Sequence, residues 1–315
     1  MKGDYEMKKF MSKIIMLFLI VFVLIGAYCK LATVSSSKYH GPNTAEQVKM
    51  SFQNSVAKEY NVYFLGNSRI YRGINPDKFT SVNSYNFAHD NDSYNQMYYK
   101  LLYLLDNGKR IDYLVIGTDY FQFSNLSDTR NYIYASLFPK EYLEDFEIAS
   151  RFPQSLESIR TLWMNKQNGL SSCIQYILGK DAPENISYQK ENGQYCMYGQ
   201  ASGAETIDRD YSILDIQYGY YKKIISLCED EGIELFVIMP PLWKGEIASH
   251  SDEERVNFNK MIRNSLAKTP YDGHYINYSE EEGLSSYMDF IDITHLTLEA
   301  ADNYSEYINN RLFFN

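Results

Sequence analysis

Tryptophan occurs twice, cysteine four times, histidine five times and proline eight times in this chain of 315 residues. None of the four cysteines, Cys29, Cys173, Cys196 and Cys228, pairs with another at zinc-site spacing, so no metal is expected, nor any other cofactor. Positive charge is in deficit too: 30 Lys and Arg against 40 Asp and Glu leave a formal net charge of −10. With no basic stripe to offset it, that balance argues against nucleic acid as a partner. Charged residues at 22% and hydrophobic ones at 45% exclude a disordered chain and fit a globular one. Tyrosine, at 30 residues, is the one type in clear excess and reads as ordinary core and surface use.

Long apolar runs are absent with one exception. Ile14 to Cys29 is uncharged, mostly apolar and bracketed by Lys13 and Lys30. It is slightly shorter than the roughly 20 residues of a spanning helix, and flanking lysines can snorkel to the headgroups. Lys2, Lys8, Lys9 and Lys13 precede it, so the positive-inside rule keeps the N-terminus cytoplasmic and exports the rest. No small-x-small cleavage site follows, and Tyr28 stands where a lipoprotein signal carries a small residue. The expectation is an uncleaved single-pass anchor in the cell membrane, residues 1–30, with an extracytoplasmic domain behind it. In an oxidising compartment Cys173 and Cys196 are candidates for a disulfide, whereas Cys228 falls on the apolar face of a predicted helix.

Residues 31–58 read as a polar stalk, with Ser35-Ser36-Ser37 and Gly41-Pro42, leading into a short helix over Ala45 to Ala57. Strands are predicted at Tyr60–Leu65, Val82–Phe87, Ile111–Ile116, Ile233–Met239 and, more weakly, Tyr275–Tyr278. Helices are predicted at Tyr94–Leu105, Tyr211–Glu231, Ser251–Ala267 and Leu298–Leu312. Alternating strands and helices imply an α/β domain over 59–315. The expected architecture is a flavodoxin-like, doubly wound parallel sheet in three αβα layers, with an N-terminal transmembrane helix. The pattern breaks between about 125 and 209. Helical pieces at Glu141–Ile148, Gln154–Trp163 and Ser171–Leu178 make this a mostly helical insertion, placed to hang over the sheet's carboxyl edge as a cap.

Chemistry is carried by two short stretches. Tyr63-Phe64-Leu65-Gly66-Asn67-Ser68-Arg69 is an apolar run that stops in a turn, which presents Ser68 at a strand's carboxyl end. A serine hydroxyl needs an imidazole to take its proton, and the imidazole needs a carboxylate to fix its tautomer. Asp292-Ile293-Thr294-His295 supplies both after the last strand, at the same edge of the sheet. His40 in the stalk, and His250 and His274 near loop boundaries, read as surface residues.

Gly66-Asn67-Ser68-Arg69, Asp292-x-x-His295 and the doubly wound order between them resemble the SGNH (GDSL-type) hydrolase superfamily. The export anchor and the run from Phe64 through Gly73-Ile74-Asn75-Pro76 look like its DltD-like and alginate O-acetylation-like branch. The likeness covers roughly 60–120 and 210–312, not the insertion. It implies an acyl esterase or acyltransferase in which Ser68 is the nucleophile, His295 the base and Asp292 its orienting acid. It also implies a membrane-bound O-acyltransferase as partner and a cell-surface glycan or teichoic acid as acceptor. Asn67, Arg69, Asn86 and Asp119 are carried over as oxyanion or support residues. Here the chain departs from the pattern: the second-block glycine has no counterpart in Asn86-Phe87-Ala88-His89, and Gly117-Thr118-Asp119 lacks the third-block asparagine. Asp119, a poor oxyanion donor when ionised, is placed instead to pair with Arg69 and brace the serine turn. A secreted carbohydrate or lipid esterase, and a catalytically silent glycan-binding partner, are the alternatives.

Overall fold

A computed structural model describes residues 2–127, 130–146, 166–199, 212–280 and 286–313. The chain forms two compact units, Met1–Asn43 with Ser155–Ile186, and Thr44–Gln154 with Ser187–Asn315. The predicted helix at Gln154–Trp163 lies outside the described residues, as does the end of the one at Glu141–Ile148.

The first unit contains α1 (Lys2–His40), a helix long and apolar enough to cross a membrane. It continues straight through Ser35-Ser36-Ser37, where an irregular stalk was expected, and stops at Gly41, whose N–H donates to the Ser37 carbonyl at 3.0 Å. The serines are helical because this turn has a packing partner. Ser35 is fully buried, and its Oγ lies 3.4 Å from Cys173 Sγ in a helix contributed by the insertion.

The second unit begins with α2 (Thr44–Ala57). Its sheet is built from β1 (Val62–Leu65), β2 (Ser84–Asn86), β3 (Tyr113–Gly117), β6 (Glu234–Met239) and β7 (Tyr275–Asn277). All pairings are parallel and the order is β2-β1-β3-β6-β7. A two-stranded antiparallel hairpin, β4 (Tyr188–Gln189) and β5 (Tyr195–Cys196), comes from the insertion. The helices are α3 (Ser68–Gly73), α4 (Tyr94–Asp106), α5 (Tyr120–Ser124), α6 (Asn131–Tyr134), α7 (Glu141–Glu144), α8 (Lys166–Ile177, in the first unit), α9 (Asp215–Glu231), α10 (Lys244–Ser249), α11 (Asp252–Leu266) and α12 (Leu298–Phe313).

Alternate strand residues face opposite sides, as a pleated strand requires. Tyr63, Leu65, Leu114, Ile116, Leu235 and Val237 join one core with residues of α2, α4, α9 and α11. Val62, Phe64, Val115 and Ile238 join a second core with residues of α3 and α12. Burial on both faces explains why these strands read as continuous apolar runs. Helix ends follow local chemistry. Ser93 with Gln96 and Ser251 with Glu254 form reciprocal capping boxes at the starts of α4 and α11, and Gly232 ends α9 at φ 67°.

Gly66 and Gly117 have a different task. Neither has positive φ. A Cβ built on either would run into the Ile70 side chain of α3, so the glycines let that helix sit directly on the ends of β1 and β3. Gly66→Ala is therefore expected to lower stability by about 1–3 kcal/mol, seen as a drop in the thermal midpoint.

All four cysteines are free. The candidate disulfide between Cys173 and Cys196 is not formed; Cys173 lies beside Ser35 Oγ and Cys196 beside Gln194 Oε1.

Candidate active site

The turn after β1 is fixed by Asn67, the N-cap of α3. Its Oδ1 accepts from the Arg69 N–H at 3.0 Å, and its Nδ2 donates to Asp119 Oδ2 at 2.8 Å. Arg69 Nε lies 3.1 Å from the same Asp119 oxygen, and Arg69 Nη2 reaches both Glu246 oxygens at 2.6 and 2.7 Å. All three charged side chains are buried or nearly so. Asp119 follows β3 and Glu246 lies on α10 after β6, so one guanidinium ties together the carboxyl ends of three adjacent strands. Asp119 thus braces the serine turn, with its other oxygen capping α5 through the Gln122 N–H at 2.7 Å. Glu246 carries no sequence signal that would have placed it here.

Ser68 opens α3, and its amide N–H is one of those a helix start leaves without an internal acceptor. It is half-buried, and its hydroxyl has no hydrogen-bond partner among the described residues.

The Asp292-x-x-His295 loop is closed by Ile291 N–H to His295 O at 2.8 Å and Thr297 N–H to Asp289 O at 2.8 Å. Within it Asp292 makes an Asx turn, Oδ1 accepting from the Thr294 and His295 N–H groups at 2.8 and 2.9 Å. That turn brings Oδ2 to 2.7 Å from His295 Nδ1. Spacing, turn chemistry and pairing are one fact. Burial pushes the Asp292 carboxyl up, but the bonds from the His295 ring and the two backbone amides outweigh it and hold the carboxyl well below its ordinary range.

Sequence reading missed Arg72. Four residues after Ser68, it shares a face of α3 with the serine. Its Nη2 grips both Asp90 oxygens at 2.8 and 2.9 Å, and its Nη1 lies 3.1 Å from His295 Nδ1. An arginine cannot accept and an ionised aspartate cannot donate, so Nδ1 carries its proton toward the closer Asp292. Nε2 is then the basic nitrogen, as a general base requires. Burial lowers the His295 pKa, Asp292 raises it, and the nearby Arg72 charge lowers it again, for a net shift below 6.5.

Ser68 and His295 are not hydrogen-bonded; the contact recorded for Nε2 is Thr294 Oγ1 at 3.4 Å. Arg72 of the serine's helix lies 3.1 Å from Nδ1 of the base, a contact between two donors once that nitrogen keeps its proton. Asn86 is committed elsewhere: its Nδ2 donates to the Ile70 and Ile74 carbonyls at 2.8 and 2.9 Å, closing the end of α3. It therefore holds the helix that carries the serine, rather than offering an N–H to an oxyanion.

The hairpin from the insertion reaches this site. Tyr195 stacks on Tyr71 at 5.3 Å and lies 5.5 Å from the Arg72 guanidinium, while Met197 Sδ accepts from Arg72 Nη1 at 2.9 Å. Of the expected cap, residues 187–199 cover the site's arginine, whereas 166–186 belong to the first unit.

His89 was also missed, since its position after β2 gave no periodic signal. It is 1% exposed, stacked on Tyr71 at 4.6 Å, and neither ring nitrogen has a hydrogen-bond partner among the described residues. Burial, then the Arg130, Lys100 and Arg72 charges, push its pKa well below 6.5. The unfolded chain takes up a proton here as pH falls through 6.5, and the folded chain does not, so stability is full above that pH and declines below it. His295 and His250 shift in the same direction and add to the effect. Thermal midpoints measured from pH 7.5 down to about 5 should fall, and His89→Phe should flatten that slope. An unchanged slope would assign the acid sensitivity elsewhere.

The remaining histidines differ from expectation in one case. His250 is buried against the Tyr120 ring at 3.9 Å rather than on the surface. His274 packs on Phe236 at 4.5 Å, and His40 meets Ser172 Oγ at 3.2 Å. Among the described residues, no cluster of His, Cys, Asp and Glu could hold a metal ion. A cavity of about 480 Å³ at β7, bordered by Arg263, His274 and Arg311, is lined by neither Ser68, Arg72, Asp292 nor His295.

Compared with protein-family models and with curated proteins, the chain matches none.

Proposed function

We propose that this chain is a membrane-anchored, extracytoplasmic serine acyl esterase or acyltransferase of SGNH type. Ser68 attacks an acyl carbonyl, His295 Nε2 takes its proton, Asp292 holds the imidazole, and the acyl-serine passes its group to a glycan hydroxyl or to water. A cell-surface polysaccharide or teichoic acid is the acceptor, and a membrane-bound O-acyltransferase the partner. The observation that carries this reading is the Asp292–His295 pair at 2.7 Å, with Arg72 of the helix that Ser68 opens 3.1 Å from the same imidazole nitrogen. The five-stranded parallel sheet supports it, because in open α/β sheets sites form outside the carboxyl ends of the strands, where β1 delivers Ser68.

Treatment with a fluorophosphonate and peptide mass spectrometry should find the adduct on Ser68 alone. Adduct on another serine, or none, would reject the nucleophile. Transfer and hydrolysis use the same triad, so a secreted-type carbohydrate or lipid esterase is the neighbouring reading.

A second reading has its own support. Both second- and third-block candidates, Asn86 and Asp119, are committed to structural bonds, which leaves the Ser68 N–H as the one oxyanion donor identified. A silent glycan-binding partner of a membrane acyltransferase fits that observation, and it predicts no adduct.

The pH profile tests the base. Ester turnover depends on neutral His295, so kcat/KM should fall on the acid side with an apparent pKa below 6.5. Removing the adjacent positive charge in Arg72→Gln should move that limb to higher pH. A limb that stays put would show that Arg72 does not act on the base.

A further inference from the structure

The helix α8 is built inside out. Gly169, Ser172 and Cys173 face α1: a Cβ on Gly169 would touch the Tyr28 hydroxyl and the Ala32 methyl, Ser172 meets His40, and Cys173 meets Ser35. Facing away are Leu170, Ile174, Ile177 and Leu178, exposed by 57, 51, 70 and 65%. Their spacing of i, i+4, i+7 and i+8 makes one continuous stripe. A helix on a water-soluble protein puts such a stripe against its neighbour; this one puts its small residues there. Small residues between helices and large apolar residues outside is the arrangement of helices packed in lipid.

Depth sets the stripe at the outer edge of the span, from the end of the apolar run toward the headgroups. Gly169 is level with Tyr28 and Ala32, where the apolar run of α1 ends. At 1.5 Å per residue the stripe then extends roughly 12 Å outward, to the level at which Tyr39 Oη and Lys38 Nζ both donate to the Lys180 carbonyl. Tyr39, Tyr176, Lys38 and Lys180 lie toward this outer end, with Lys38 Nζ 5.6 Å from the Tyr176 ring centre. Tyrosine and lysine at the end of an apolar helix mark the membrane–water boundary.

We propose that α8 stands beside α1 at the membrane interface, at the C-terminal end of the span, with Leu170, Ile174, Ile177 and Leu178 in contact with lipid. The chain thus meets the bilayer through two helices, the second donated by the insertion. This rests on α1 being a membrane span.

The test uses the full chain reconstituted in phosphatidylcholine–phosphatidylglycerol vesicles, with tryptophan introduced by Leu170→Trp and Ile177→Trp and the parent's emission subtracted. The added emission should be blue-shifted in both variants, and lipid brominated on its acyl chains should quench Leu170→Trp about twofold and Ile177→Trp less, in order of depth. Emission at the water-exposed wavelength overturns the proposal. So does a blue shift that brominated lipid leaves unquenched, because protein, a second copy or another chain, then covers the stripe. A chain that fails to float with the vesicles removes the span itself; one that floats while both probes stay unquenched removes only the contact of α8 with lipid.

Discussion

Ser68→Ala is expected to lower the turnover of a small ester such as p-nitrophenyl acetate by roughly 10⁴- to 10⁶-fold, with little change in KM. The hydroxyl is the only group removed, and it makes no hydrogen bond among the described residues, so the thermal midpoint should stay within about 1 °C of the parent. That separation is what makes the measurement decisive. A variant that loses activity and keeps its fold assigns the nucleophile. A drop of less than about tenfold would mean that Ser68 does not attack the carbonyl, and would move the balance to the silent-partner reading.

Lys100→Met is expected to cost about 3–5 kcal/mol of folding stability, the largest effect we foresee away from the site. Lys100 and Asp92 are each 1% exposed, with Nζ to Oδ2 at 2.6 Å. Burial pushes the Asp92 carboxyl up and the Lys100 ammonium down, and their contact opposes both shifts. Lys100 also donates to the Phe87 carbonyl at 2.6 Å, while Asp92 accepts from the Tyr134 hydroxyl at 2.6 Å. Methionine fills the volume but leaves a buried carboxylate without its cation. Adding Asp92→Asn removes that charge and keeps an oxygen for Tyr134, so the double variant should recover much of the loss. Denaturant midpoints read both. If the double variant is no better than the single one, the cost came from packing and not from charge. This pair anchors the loop that carries His89 and Asp90, and Asp90 grips Arg72, so Lys100→Met should also disturb the base from a distance.

The frame of the α/β unit was legible because burial on two faces leaves a plain trace. The runs ending at Leu65, Ile116 and Met239 are short, apolar and bounded by turn residues, as strands covered on both faces are, and Ser251 and Gly232 punctuate helices by local chemistry. The pairing of Asp292 with His295 was legible for the same reason, since an Asx turn needs only neighbours in sequence. Arg72 was half visible, four residues after Ser68, but its contact with His295 depends on where the last loop lands. Glu246, Lys100 and the burial of His250 depend on packing between distant segments and leave no periodic mark. Ser35-Ser36-Ser37 misled because serine favours turns in isolation, and here a helix from the insertion turns the same residues into a packing face.

The contact between Arg72 and His295 spans 223 residues of chain. Synthesis runs from the N-terminus, so the serine, its N-cap and the arginine beside it exist long before the imidazole they serve. A nascent chain held at any length short of its last loop has a nucleophile with no base. Long-range closure of this kind is also the slow part of folding. On the proposed reading the two together act as a timer: acyl chemistry waits until the Asp292-x-x-His295 loop has been made and has docked beside Arg72.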